Sequence, residues 1–191
     1  VVYVGANDGM LHAFHAGLSS ANNVAGLIGS GTELFAYIPN SLMPNLSALA
    51  DPNYAHRYYV DAPPFSGDAF VGGAWKTMLV GSVGAGGKAV FALDVTDPEN
   101  FDATKVHWEF TNDELGNSMG KPIIARLANG KWVAVFGNGP NSKSGTAKLF
   151  LVDLTKKTTN TWTAGTDYWV LSTDNTITSN GLSEPTLYDK N

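Results

Sequence analysis

The feature that most constrains this chain is a strand-turn-strand pattern that occurs three times. Residues 1–14, Val-Val-Tyr-Val-Gly-Ala-Asn-Asp-Gly-Met-Leu-His-Ala-Phe, read as one tight β-hairpin. Branched and aromatic side chains suit a pleated surface, and Asn7-Asp8-Gly9 tolerates the positive φ that a hairpin turn demands. The plan returns with longer turns in Thr77–Gly81 followed by Ala89–Thr96, and again in Trp132–Gly137 followed by Ala147–Thr155. Gly5, Gly81 and Gly137 end the first strand of each hairpin, at unequal intervals. An isolated hairpin is marginal in water, so a chain built from them must pair and stack them.

The intervening segments complete each unit. His15 to Gly31 reads as a loop of small residues, Gly and Asn, and Leu34–Pro39 as an outer strand ended by a proline that cannot donate to a ladder. Asn40 to Ala50 carries Leu42, Met43, Leu46 and Leu49 at roughly helical spacing, which predicts a short helix capped by Ser41 and stopped at Asp51-Pro52. A second unit is expected from Arg57–Asp61 through Gly67–Val71 and the second hairpin to Val106–Phe110. A third runs from Gly120–Leu127, through the turn Ala128-Asn129-Gly130 and the third hairpin, to Tyr168–Leu171. Gly181–Tyr188 repeats the proline and apolar positions of Gly120–Leu127, as the first strand of a fourth.

Four-stranded meander units at intervals of several tens of residues are the sequence form of propeller blades. The fold class expected is all-β, with four-stranded antiparallel blades and a short helical insert. The expected division is a truncated first blade over 1–39, a second over 57–111, a third over 119–172 and the first strand of a fourth over 181–191. A closed propeller needs ~4 to 8 blades, so the chain is expected to be part of a single propeller domain whose other blades lie outside it. With 21 glycines and only 15% charged residues, composition agrees with short strands and tight turns. A net charge of −5, without a long Lys/Arg run, argues against nucleic acid or a polybasic membrane contact. No apolar run approaches the ~20 residues of a spanning helix, and the lack of cysteine removes disulfides, thiolate metal sites and Cys nucleophiles.

Several stretches together carry a family resemblance: Val2–Phe14, Tyr37-Ile38-Pro39-Asn40, His56–Asp61, Phe91-Ala92-Leu93-Asp94-Val95-Thr96 and Gly130–Gly139. Over nearly the whole chain they resemble the C-terminal β-propeller domain of the PilC/PilY family of type IV pilus biogenesis and tip-adhesin proteins. The resemblance implies a modified, seven-bladed, quinoprotein-like propeller, exported and displayed at the cell surface, pilus tip or outer membrane. It implies a non-enzymatic role in pilus assembly, in opposing retraction and in adhesion. The partners implied are minor pilins and other pilus-tip components, with host or surface receptors. It also implies a calcium loop of the Asp-x-Asn/Asp-x-Asp-Gly kind in a hairpin turn, which Asp189-Lys190-Asn191 would begin.

Read from the residues alone, Asp189 and Asn191 set hard oxygens at i and i+2, as at the start of a Ca²⁺ loop, and equally suit an ordinary polar turn like Ala128-Asn129-Gly130. They are two candidate ligands where Ca²⁺ takes ~6 to 8 oxygens. Gly81–Ala89 looks like a phosphate loop but has Ser82 and Ala89 where Gly and Ser/Thr are required, and it enters a strand. His12 and His15 fall on opposite faces of a strand and do not pair on zinc, so His12 is expected to pack beside Phe14 with its nitrogens bonded locally. His56 and His107 stand apart from any His/Asp/Glu cluster, and no Gly-x-Ser-x-Gly elbow occurs. Trp75, Trp108, Trp132, Trp162 and Trp169 are expected to pack between blades, with any exposed member available for adhesion. Fold alone leaves a rival, a pyrroloquinoline-quinone-type dehydrogenase propeller. Such enzymes often set the cofactor against a vicinal disulfide, which a chain without cysteine lacks.

Overall fold

The computed structural model describes residues 1–16, 31–157, 161–173 and 177–188. Its strands form three antiparallel sheets. The first holds β1 (Val2–Gly5), β2 (Leu11–Phe14) and β3 (Glu33–Tyr37) in that order. The second is β4 (Phe65–Val71), β5 (Ala74–Ser82), β6 (Val90–Asp94) and β7 (Val106–Phe110), and the third is β8 (Ile123–Arg126), β9 (Trp132–Gly137), β10 (Lys148–Asp153) and β11 (Tyr168–Ser172). Every neighbour in a sheet is also a neighbour in sequence, so each sheet is a meander. The opening hairpin closes through Ala6 and Gly9, with the Met10 amide bonded to the Asp8 carboxylate at 3.0 Å and Gly9 at φ +101. The loop expected over His15–Gly31 lies, for residues 17–30, outside the described residues.

The second sheet is covered on both faces, which explains why its sequence is apolar without strict alternation. All of Val90–Asp94 is buried. Leu79, Phe91 and Leu93 join Leu11, Tyr37 and Leu42 in one cluster with the first sheet. Met78, Val80, Ala92, Trp108 and Phe110 face Phe136, Phe150 and Val152 of the third. Phe110 is the hub of that second cluster, with ring centroids 4.9 Å from Trp162, 5.1 Å from Tyr168 and 5.7 Å from Phe150. Cutting Phe110 or Phe150, both fully buried, to alanine removes about 3–5 kcal/mol of stability. The first strands of the two four-stranded sheets, β4 and β8, converge, and the sheets fan out from them as blades do.

Polar bonds lock the sheets where the apolar faces leave backbone groups over. A register shift leaves His107 without a ladder partner opposite Ala92 and Leu93. A bulge of this kind re-aims side chains, and His107 Nδ1 and Trp108 Nε1 donate to the carbonyls of Leu154, just past β10, and Asp153, its last residue, at 3.1 Å each. On the other side Glu109 accepts from the Tyr37 hydroxyl at 2.6 Å and from the amides of Asn40 and Ser41 at 2.5 and 3.2 Å.

Three details differ from the sequence reading. Asn40–Ala50 is a 3-10 helix whose N-cap is Pro39, not Ser41. The Glu109 carboxylate takes the amides a capping side chain would satisfy, and Pro44 inside the segment removes another donor. Arg57–Asp61 is not a strand, because its main chain is spent on neighbouring turns rather than on a ladder. Residues 181–188 likewise form no strand among the described residues, and Gly139 and Asn138 take the main chain of Leu182.

These last two segments belong to one recurring arrangement, in which the chain between hairpins crosses the ends of their strands. Tyr59 donates to Asn7 Oδ1 at 3.0 Å, Val60 to the Ala6 carbonyl at 3.2 Å and Asp61 to the Val83 carbonyl at 3.3 Å. At the next crossing Gly116 and Asn117 donate to the carbonyls of Asn138 and Pro140, and the Ser82 hydroxyl to that of Ser118 at 2.6 Å. Gly139 sits inside this crossing at φ +66, and a Cβ there would fall on the Asn117 carbonyl oxygen. Gly73, in the β4–β5 turn at φ +84, has nothing within 4 Å of a Cβ. Both sites penalise a side chain through φ, by about 1–2 kcal/mol, but only Gly139 adds a backbone collision. Gly139→Ala should therefore lower the melting temperature well beyond Gly73→Ala, and equal shifts in thermal denaturation would contradict the crossing.

Candidate functional site

Asp189 and Asn191 lie outside the described residues, so the oxygen pair at the start of the expected calcium loop has no geometry to report. The chain leading to it comes to the surface: Leu187 and Tyr188 are 57% and 87% exposed. Among the described residues no three His, Cys, Asp or Glu side chains gather as metal ligands do. The glycine-rich Gly81–Ala89 stretch is the end of β5, a 3-10 turn at Gly84–Gly86 and the approach to β6, while Lys88 donates to the Asn141 carbonyl. It presents no helix N-terminus to a phosphate.

Acidic side chains in this structure act as clasps. Asp94 at the end of β6 accepts from Lys76 Nζ at 2.6 Å and from both the hydroxyl and amide of Thr96. Asp153 at the end of β10 repeats this with Lys131 at 2.6 Å and Thr155. The sequence signal is the doubled Asp-x-Thr of Leu93–Thr96 and Val152–Thr155. Burial alone would raise the Asp94 carboxyl, but the Lys76 ammonium and the two Thr96 bonds outweigh it and hold the group at about 2. Bonds to Thr104, Lys143, Lys148 and Lys156 respectively lower Asp102, Asp113, Glu114 and Asp167. A general acid near neutral pH needs the reverse, a carboxyl pushed up. Burial lowers His107 below the usual imidazole range, and it stays neutral with Nδ1–H on Leu154. Burial, then Glu109, raises the Tyr37 phenol.

Asn138, between two glycines just past the end of β9, is the polar residue that the structure singles out. It is fully buried and uses its whole amide: Nδ2 donates to the carbonyls of Glu114 and Thr146, and Oδ1 accepts from the amides of Lys148 and Leu182 at 3.0 Å each. Its role is to tie the third hairpin to the two connecting segments beside it. The tryptophans divide by exposure. Trp108 is 1% exposed, Trp162 packs edge-on to Trp108 and Phe110, Trp169 lies under Lys131, and Trp75 is 64% exposed beside Phe70 and Trp132.

His12 stacks on Phe14 with centroids 5.8 Å apart, and both its nitrogens meet carboxylates: Nδ1 with Glu33 at 2.6 Å and Nε2 with Asp8 at 2.8 Å. It therefore joins the first turn to β3. The His15 amide donates to the Thr32 carbonyl at 2.8 Å. The Glu33 bond raises His12, partial burial opposes this, and Asp8 raises it further. With the folded value above the unfolded one of about 6.5, the stabilisation is complete below that unfolded value and disappears as pH climbs through the folded value. The melting-temperature difference between wild type and His12→Gln should accordingly shrink as pH rises from 6 to 9, and a difference independent of pH would contradict the clasp.

The comparisons with known proteins agree with this architecture. Residues 1–191 match the PilY1 beta-propeller domain family. The chain is 44% identical, over its full length, to the type IV pilus biogenesis factor PilY1 of Pseudomonas aeruginosa PAO1, of which it covers 15%. It is 48% identical to a PilY1 homolog of Xylella fastidiosa across 80% of its own length and 10% of that protein's. The crystal structure of the P. aeruginosa PilY1 C-terminal domain superposes with a TM-score of 0.69 at 43% identity, covering 98% of this chain and 33% of that one. The chain thus spans a small part of the curated relatives it matches, and within that part it belongs to the PilY1 β-propeller family of type IV pilus biogenesis factors.

Proposed function

We propose that this chain is a propeller module of a type IV pilus biogenesis factor, acting as a non-enzymatic scaffold that supports pilus assembly and opposes retraction. The observation that carries the reading is the match to PilY1 relatives from the first residue to the last. The clasped carboxyls and the crossings suit a rigid bearing surface, since Asp94, Glu114 and Asp153 are each bonded to a lysine of a neighbouring segment. The relatives' names favour pilus work over the quinone-dehydrogenase alternative. On this reading the protein is exported and works at the cell surface or pilus tip, in contact with minor pilins and with host or other surface receptors.

Calcium enters the proposal through Asp189 and Asn191. Their carboxylate and amide oxygens suit a hard cation, but two donors are short of the ~6 to 8 that Ca²⁺ takes, so further oxygens must come from other residues. Bound there, the ion would hold the two side chains together. Asp189→Ala, which removes a charge and an oxygen ligand, should weaken Ca²⁺ binding by the complete protein at least tenfold in calorimetry. No Ca²⁺ binding, or equal binding by the two proteins, would return both residues to turn duty.

The scaffold reading is tested in a pilus-bearing cell deleted for its own copy. Restoring the complete protein should restore surface pili, and a version lacking this chain should not. Unchanged piliation without the chain, or quinone-dependent dye reduction with a simple alcohol, would overturn the proposal.

A further inference from the structure

The two blade-end turns beside Trp75 and Trp132 enclose a recess of about 230 Å³ lined by Phe70, Trp75, Arg126, Gly130 and Trp132. Its walls come from equivalent places in adjacent sheets. Phe70 pairs with Trp75 across β4–β5, and Arg126 pairs with Trp132 across β8–β9. Ladder register fixes these pairs, and the turns that follow are tight. Gly72 and Gly73 close one at φ +63 and +84, and in the other the Leu127 and Gly130 amides bond at 2.8 and 2.9 Å. The rings meet edge to face, Phe70 on Trp75 at 5.8 Å and Trp75 on Trp132 at 5.7 Å. Trp75 is 64% and Phe70 45% exposed.

Two observations give the recess a chemistry. The main-chain groups of the lining residues are largely committed to the ladders and turns, so a bound molecule is recognised by ring faces and by the side chain of Arg126. That guanidinium makes no hydrogen bond or ion pair among the described residues, although most lysines of the second and third sheets are clasped to acids. It lies over the second turn, with one terminal nitrogen 3.9 Å from where a Cβ on Gly130 would be. A guanidinium left unpaired beside aromatic faces is suited to a planar carboxylate through its forked donors. The volume is below the ~300–1,000 Å³ of clefts for drug-sized ligands, so it accommodates about one ring. A pyranose combines a flat face of C–H groups for an indole with hydroxyls that remain in water, and a uronic acid adds the carboxylate.

We propose that this recess is a saccharide subsite selective for uronic acid residues, with the exposed Trp75 as the stacking ring, Trp132 set at a steep angle to it as a second wall and Arg126 as the carboxylate receptor. The assignment stands on the recess alone and is independent of the pilus reading. The net charge of −5 makes non-specific attraction of an acidic sugar unfavourable, so any preference for one reports the site.

The test is titration of the full chain with trigalacturonic acid and, separately, maltotriose at 150 mM salt, followed by tryptophan fluorescence and the indole N–H signals in NMR. The acidic trisaccharide should bind at least tenfold more tightly and shift the signals of Trp75 and Trp132. Trp75→Ala should abolish binding; Trp75 is largely exposed, and an unchanged thermal melt would show that the fold survives. Arg126→Gln should bring the two trisaccharides to equal affinity, while Arg126→Lys retains part of the preference. Absence of binding by the acidic sugar, equal binding of both sugars by wild type, or binding that survives Trp75→Ala would each overturn the proposal. Benzoate displacing nothing supports the saccharide assignment, and benzoate binding more tightly than the sugar contradicts it.

Discussion

The structure depends on close approach of backbone to backbone where connecting segments cross the ends of the hairpins. Sheets stacked only through apolar side chains can slide, because the hydrophobic effect is non-directional. The crossings remove that freedom. Tyr59–Asp61 is bonded on one side to Ala6 and Asn7 and on the other to Val83, and residues 116–118 bridge Ser82 to Asn138 and Pro140 in the same manner. Buried amides left unpaired would each cost about 1–3 kcal/mol, so the segments can cross there only if the turns supply acceptors. Asn138 supplies two bonds to carbonyls and accepts two amides, and Gly139 supplies the space.

The rest follows from fixing the sheets in that relation. The second sheet is held between its neighbours, so Phe91 and Phe110 can point to opposite clusters and both be fully buried. The bulge at His107 directs two donors of β7 to the end of β10, while Glu109 two residues later serves the first sheet. Lys76–Asp94 and Lys131–Asp153 occupy the ends of the strands, where partial burial makes each bond count for more than an exposed ion pair, whose worth is about 0–1 kcal/mol. The turns that carry Trp75 and Trp132 are thereby held side by side.

What could be read from the sequence was what local chemistry determines. The hairpins at Val2–Phe14, Ala74–Asp94 and Trp132–Asp153 announce themselves by β-branched runs and by Gly, Asn and Asp in their turns. Arg57–Asp61 misled because burial of Tyr59 and Val60 under a crossing produces the same apolar and aromatic run as a strand. Ser41 carried a capping signal, but the acceptor for its amide came from Glu109, far away in sequence, which no window around residue 41 contains. The division of the tryptophans had the same cause: Trp75 and Trp108 both stand in strands of the second sheet, and only the position of the third sheet leaves the first exposed and buries the other. Asn138 in Gly-Asn-Gly-Pro is indistinguishable from a turn residue until the segment at Leu182 is placed against it.

Native-state hydrogen exchange measures the crossings most directly. If they lock the blades into one cooperative unit, the amides of Gly116, Asn117 and Gly139 should exchange only through the global unfolding that releases core amides such as Phe150, and Asn138→Ala should lower all of them together. Fast exchange at Gly116, Asn117 and Gly139 through local opening, with Phe150 still protected and indifferent to Asn138→Ala, would contradict the account.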